Sequence, residues 1–287
     1  MNSATTTWRS ALLPQPDTGA PHSKGIRGLV RRHPLLSFFV IAYTLSQFGV
    51  LIEPHTLIPL GPLVAALVVL PLIGGRAALA DFWRASIRWR VGVRWYAAAI
   101  LLPVASAAIA LGIAIALGAS IDRSELKPWT DVFEVGLTYF VMVGIGEELA
   151  WRGVALPRLL TGRSILSAAL ILGVIHALWH WPLVGGEMTY NQVAPIAISV
   201  VAYSVFTAWM CTRTGGSLLL PALSHMAVNT TAYFVFDLVS GSDETLLYWL
   251  WAAIWTGAGI AVAVVVSREL PDVTPVVPTP TTASALA

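Results

Sequence analysis

The side chains best suited to proton chemistry fall in three short strings. They are GIGEELAWRG with Glu147, Glu148 and Arg152, ILGVIHALWHWP with His176 and His180, and LLLPALSHMAVNTT with His225 and Asn229. On a helix, positions four apart lie only about 40° apart around the axis, so each string presents a paired face. Glu148 and Arg152 have that spacing, with the acid N-terminal to the base, and are expected to pair. Glu147 is turned about 100° away and is left for chemistry, although the two glutamates could exchange roles. A carboxylate able to take a proton from water is a general base, and a histidine can share that water or protonate a leaving amine. A His and Asn one turn apart can donate to a developing oxyanion. Together the set suits hydrolysis of a peptide bond by activated water, with no serine or cysteine nucleophile.

A metal reading uses the same atoms. His176 and His180 have the i, i+4 spacing of a zinc helix, and His225 or a glutamate could complete three ligands plus water. HALWH lacks the glutamate of HExxH, so that motif is absent. No cofactor is favoured. If a divalent ion such as zinc is bound, the candidate ligands are His180, His225 and Glu147, with His176 as an addition.

These residues sit in a chain that avoids charge. Of 287 residues, 56% are hydrophobic and 11% charged, against about 25% charged in soluble domains. The mean hydropathy is +0.74, and the apolar residues come in blocks. Crossing a bilayer takes about 20 mostly apolar residues. The blocks at 35–52, 57–74, 95–119, 131–158, 164–184, 194–213, 217–239 and 245–266 meet that need. The expected fold is therefore all-α, a polytopic transmembrane helical bundle of about eight spans. Ionisable groups inside such spans cost about 2.5–3.5 kcal/mol or more each and mark functional sites. Only spans four, five and seven carry such clusters. Bringing them level requires tilt, or a kink near Gly144 and Gly146.

Charge placement orients the bundle. Arg9, Lys24, Arg27, Arg31 and Arg32 precede span one, and Arg76, Arg84, Arg88, Arg90 and Arg94 follow span two. Arg158 and Arg163 follow span four, Arg213 ends span six and Arg268 follows span eight. With eight spans all of these fall on one side, and Arg123 and Lys127 on the other. The positive-inside rule then makes both termini cytoplasmic, N-in and C-in, in a multi-pass protein of the cell membrane. Residues 1–34 read as a disordered cytoplasmic segment without a cleavable signal, 35–266 as the membrane domain, and 267–287 as a disordered Pro/Thr-rich tail. The single Cys211 excludes a disulfide framework and reads as a packing residue. The bilayer and a membrane-associated peptide or protein are the expected partners, and no nucleic acid is.

EELAWRGVALPRLL resembles the EExxxR signature of the CPBP intramembrane proteases, which include CAAX prenyl endopeptidases, lysostaphin-resistance-protein-A-like proteins and Abi-type immunity proteins. HALWHWP resembles the second motif of the bacterial branch, with His180 at the motif histidine and His176 where Phe or Trp is usual. TRTGGSLLLPALSHMAVNT is similar to the third region, with His225 and Asn229 in an HxxxN pattern. The resemblance covers about 129–231. It implies a membrane-embedded endopeptidase with Glu147 as the water-activating residue. His180, Glu148 and Arg152 support it, and His225 with Asn229 binds the oxyanion. The resemblance admits either a metal or a glutamate mechanism; the absence of a strict zinc motif favours the glutamate one, and nothing in the sequence specifies a pocket for a prenylated substrate. The alternatives are a non-catalytic immunity or scaffold protein, or a transporter or proton relay; the lack of a visible internal repeat argues against the last.

The orientation has a direct check. A fluorescent-protein fusion at the C-terminus should fluoresce in cells, and an alkaline phosphatase fusion there should be inactive; the reverse pattern would reject the N-in/C-in arrangement.

Overall fold

The computed structural model describes residues 25–268, so most of the expected N-terminal segment and nearly all of the expected tail lie outside the described residues. Within these the chain is helical throughout, in nine helices. They are α1 (Ile26–Arg32), α2 (Pro34–Gln47), α3 (Gly61–Ser86), α4 (Val93–Ala116), α5, α6 (Ile165–Trp179), α7 (Tyr190–Arg213), α8 (Leu219–Val235) and α9 (Gly241–Arg268). The helix α5 runs from Val132–Tyr139 through the π-helical stretches Phe140–Glu148 and Trp151–Ala155 to Leu156–Leu159. Helices suit this chain because a spanning segment must satisfy its own backbone donors and acceptors in lipid.

Among the described residues, six segments are long and apolar enough to cross a membrane: Pro34–Leu51, Gly61–Ser86, Val93–Ala116, Ile165–Leu183, Tyr190–Arg213 and Gly241–Arg268. The protein is thus a polytopic helical bundle with many apolar side chains facing outward, among them Leu101, Ile109, Val174 and Ile260. The two remaining predicted spans are also helical, as α5 and α8. Their polar residues (in α5) and length (17 residues in α8) set them apart from the six.

The helix ends differ from the expected span ends by a few residues, and by far the most in the second span. The second span was expected to end at residue 74, yet α3 continues to Ser86 past a break at Gly75, which has φ 63°. Gly tolerates that left-handed backbone because it has no Cβ. Beyond the break the helix is amphipathic: Phe82, Ala85 and Ser86 are buried while Arg76 and Arg84 are exposed. A charged stretch therefore remains helical by packing one apolar stripe on the bundle.

The helix α5 lies at the centre, against α2, α3, α6 and α8, while α7 packs between α6 and α9. Missing side chains permit this closeness. A Cβ on Gly144 would lie 2.8 Å from the Ala222 carbonyl of α8, and one on Gly146 would lie 2.9 Å from the Pro59 carbonyl. Across the α6–α7 contact, a Cβ on Gly173 would lie 2.8 Å from Val201 Cα, and Ser204 Oγ donates to the Ala169 carbonyl at 2.9 Å. Small residues are the usual means of helix approach in membranes, where lipid offers no hydrophobic drive for association. The irregularity expected near Gly144 and Gly146 takes the form of the π-helical stretch. Each π turn holds one extra residue and commonly occurs at functional sites.

Gly173→Val should force α6 and α7 apart and destabilise the protein by about 1–3 kcal/mol, the usual cost of overpacking. A lowered melting temperature in detergent is the readout, and an unchanged one would show that the contact is looser than described.

Candidate active site

The polar residues of α5, α6 and α8 meet in the interior. Glu148 and Arg152 are wholly buried, and Glu147, His176 and His225 nearly so. Arg152 Nη1 donates to Glu148 Oε1 at 2.9 Å, the contact predicted from their spacing. Arg152 Nη2 donates to Thr207 Oγ1 of α7 at 2.7 Å. The threonine hydroxyl donates in turn to the Tyr203 carbonyl at 3.0 Å. His225 Nδ1 lies 3.0 Å from the same Glu148 oxygen. A buried charge is tolerable only when paired and hydrogen-bonded, and three helices contribute to that here. Glu148 Oε2 and Arg152 Nε are buried without hydrogen-bond partners, so the pair is compensated in charge but not saturated.

Glu147 faces a different set. Its Oε2 lies 3.0 Å from His176 Nε2. The His176 and His180 rings are 4.9 Å apart, and the His176 and His225 rings 6.0 Å. His180 caps the C-terminal end of α6, and its Nδ1 bonds to the His176 carbonyl at 2.9 Å. A carbonyl only accepts, so Nδ1 carries the proton and Nε2 holds the free lone pair. Tyr43 Oη of α2 donates to the Ile175 carbonyl, tying down the turn that bears His176.

His176 was the doubtful member of the sequence set, and it is the histidine that touches Glu147. Asn229 is half-buried, and its amide donates to the His225 carbonyl at 3.5 Å, the outer limit of a hydrogen bond. The predicted residues are therefore brought together as two linked clusters, Glu148–Arg152–His225 and Glu147–His176–His180. For a metal, Glu147, His176 and His180 offer ligand atoms all within 4.8 Å of one another. His225, also named as a candidate ligand, sits instead against Glu148.

Two contributions were missed. Span six seemed to lack polar function, yet it supplies Thr207; its spacing of four from Tyr203 was the available signal. Aromatic walls were the other. Trp151 is fully buried, edge-on to Phe38 at 5.5 Å and 5.2 Å from the His176 ring, and Trp179 lies 5.1 Å from His180. Such rings pack against the imidazoles and limit their rotation.

Residues 129–231 match the model of a family described as type II CAAX prenyl endopeptidase Rce1-like. That segment holds both clusters, Thr207 included. Over 92 residues the chain is 29% identical to CAAX prenyl protease 2 of Methanococcus maripaludis, a match covering 29% of this chain and 34% of that protein. The chain thus spans about a third of the length of the curated relative it matches. Within the matched segment, α5, α6 and α8 bear the motif residues and α7 supplies the hydroxyl that holds Arg152.

Arg152→Met should strand Glu148 in the interior and destabilise the protein by about 3–5 kcal/mol. Adding Glu148→Gln should return part of that loss. Detergent unfolding of the single and double variants measures the coupling, and additive losses would mean that the pair is not coupled.

Proposed function

We propose that this protein is an intramembrane endopeptidase of the CAAX-protease type, hydrolysing a peptide bond of a membrane-associated substrate with water activated at Glu147. The observation that carries this reading is the division of labour between adjacent glutamates. Glu148 is held by Arg152 and His225, whereas Glu147 meets only imidazole among its close polar contacts described above. A carboxylate not bound to a guanidinium keeps its basicity for a proton from water. The matched Methanococcus maripaludis protein is named a CAAX prenyl protease, which fits the same reaction class; prenylation of this chain's own substrate is not part of the proposal.

In the proposed reaction, water enters between Glu147 and His180. Glu147 takes its proton as the oxygen attacks the scissile carbonyl, and the proton later passes to the leaving amine. His180 Nε2, the lone-pair nitrogen, is suited to accept a hydrogen bond from that water and orient it. The tetrahedral oxygen needs donors, and His225 with Asn229 supply them. His225 Nδ1 lies against Glu148, so Nε2 donates to the oxyanion when the ring carries both protons. Asn229 must exchange its long bond to the His225 carbonyl for the oxyanion, a small sacrifice at 3.5 Å. A metal-activated water is the second reading, favoured by the grouping of Glu147, His176 and His180. We take both termini as cytoplasmic and the membrane as the cell membrane, from the placement of Arg and Lys.

In liposomes containing a quenched membrane-anchored reporter peptide, Glu147→Gln should abolish cleavage while the melting temperature is kept. Asn229→Ala should lower the rate by about 10²–10³-fold, as loss of one oxyanion donor does. Full activity of Glu147→Gln would sink the assignment of the base. A non-catalytic role would instead leave a cellular phenotype intact in both variants, and a proton relay would show flux that Glu147→Gln removes.

A further inference from the structure

We propose that the loop joining α3 to α4, residues 87–92 with the first turn of α4, binds the headgroup of an anionic phospholipid such as phosphatidylglycerol. The site shares no residue with either glutamate cluster, and its test does not depend on the protein being a protease.

Charge in this loop is one-sided. Arg88, Arg90 and Arg94 fall close together, and no Asp or Glu stands between Asp81 and Asp122. Asp81 is itself taken by Arg84. Among the described residues no carboxylate pairs with Arg88, Arg90 or Arg94, and all three side chains are exposed. The Arg90 and Arg94 guanidinium groups stand over the Trp89 and Trp95 rings, 5.2 and 5.7 Å from the centroids. Stacking of this kind occupies the face of a guanidinium and leaves its edge, where the N–H donors are, for an oxyanion. A phosphate diester presents two such oxygens, which a guanidinium can hold in bidentate fashion.

The surface beside the arginines selects a lipid over a free anion. Ile87, Trp89 and Val93 are 69%, 61% and 83% exposed. At the end of two spanning helices such apolar groups suit the boundary between headgroups and acyl chains, where tryptophan concentrates. Free phosphate would engage only the arginines, whereas a phospholipid engages both kinds of surface. Between them lies an open cleft of about 520 Å3, lined by Trp89, Arg90, Val91, Gly92, Val93 and Tyr96. Its walls are fixed by hydrogen bonds to three backbone carbonyls. Tyr96 Oη donates to that of Trp89 at 2.7 Å, Ser217 Oγ to that of Arg88 at 2.7 Å, and the Leu218 amide to that of Ala85 at 3.0 Å. A loop held in this way gives up little freedom when a headgroup docks.

The experiment uses the full chain in dodecyl maltoside, titrated with phosphatidylglycerol, with phosphatidylcholine of the same acyl chains, and with inorganic phosphate. Native mass spectrometry counts the retained lipids, and the melting temperature reports binding to the folded state. Phosphatidylglycerol should be retained and raise the melting temperature; the other two at equal concentration should do neither. Arg90→Gln combined with Arg94→Gln should weaken phosphatidylglycerol binding about 25-fold, near 5-fold for each basic residue at a lipid surface. Both side chains are exposed, so this double variant should melt like wild type in detergent alone. Trp89→Ala is the second variant, weakening binding with the arginine charge intact. Arg163→Gln removes an exposed arginine from the end of the bundle expected to hold this loop, and should bind like wild type. Equal retention of phosphatidylcholine, or an equal response to inorganic phosphate, overturns the anionic-lipid assignment. Binding unchanged in both loop variants overturns the site, and a loss in Arg163→Gln as large as in the double variant replaces it with diffuse surface charge.

Discussion

A guanidinium and a carboxylate deprived of solvent must compensate each other, because either one alone would cost several kcal/mol to keep in the bundle. Glu148 and Arg152 are in that position, one turn apart on α5 and wholly buried. Two other helices supply their further contacts: Thr207 of α7 accepts from Arg152, and His225 of α8 lies against the same Glu148 oxygen that Arg152 holds. The pair thereby sets the rotation of α5 against both neighbours. Once that rotation is fixed, the adjacent residue, Glu147, is forced toward α6, where His176 and His180 stand. The ion pair is thus an orienting device. Its contribution lies in where it puts the other glutamate more than in the stability it adds.

Such orientation requires helices that touch. Lipid gives them no hydrophobic reason to do so, so close packing of backbones and buried hydrogen bonds do the work. Gly144 and Gly146 admit the Ala222 and Pro59 carbonyls to the surface of α5, within a turn of the two acids. The π-helical geometry of Phe140–Glu148 inserts an extra residue per turn in the same stretch. Packing, irregular helix and charge cluster coincide because the same few residues must serve all three.

The two clusters differ in what surrounds them. Around Glu148 the hydrogen-bond network is directional and tied to the backbone through Thr207 and Tyr203. Around Glu147 the neighbours are aromatic rings, with Trp151 and Trp179 beside the imidazoles. Glu147 is thus held by packing and by one imidazole contact, with no guanidinium bonded to it.

Much of this could be read without coordinates. Apolar blocks dictated a helical membrane bundle, since no other open structure satisfies its backbone in lipid. The i, i+4 spacing identified the Glu148–Arg152 pair, because helix geometry is local and the partners lie on one element. The histidine and asparagine strings named α6 and α8 as the other walls. The sequence was silent where contacts cross between helices. That Thr207 would hold Arg152, that His225 would turn to Glu148, and that His176 rather than His180 would touch Glu147 depended on helix rotation and depth. So did the continuation of α3 beyond Gly75. Periodicity within a helix gives relative angles only; the absolute rotation is a property of packing between helices, and it is there that a cluster of acids became two sites.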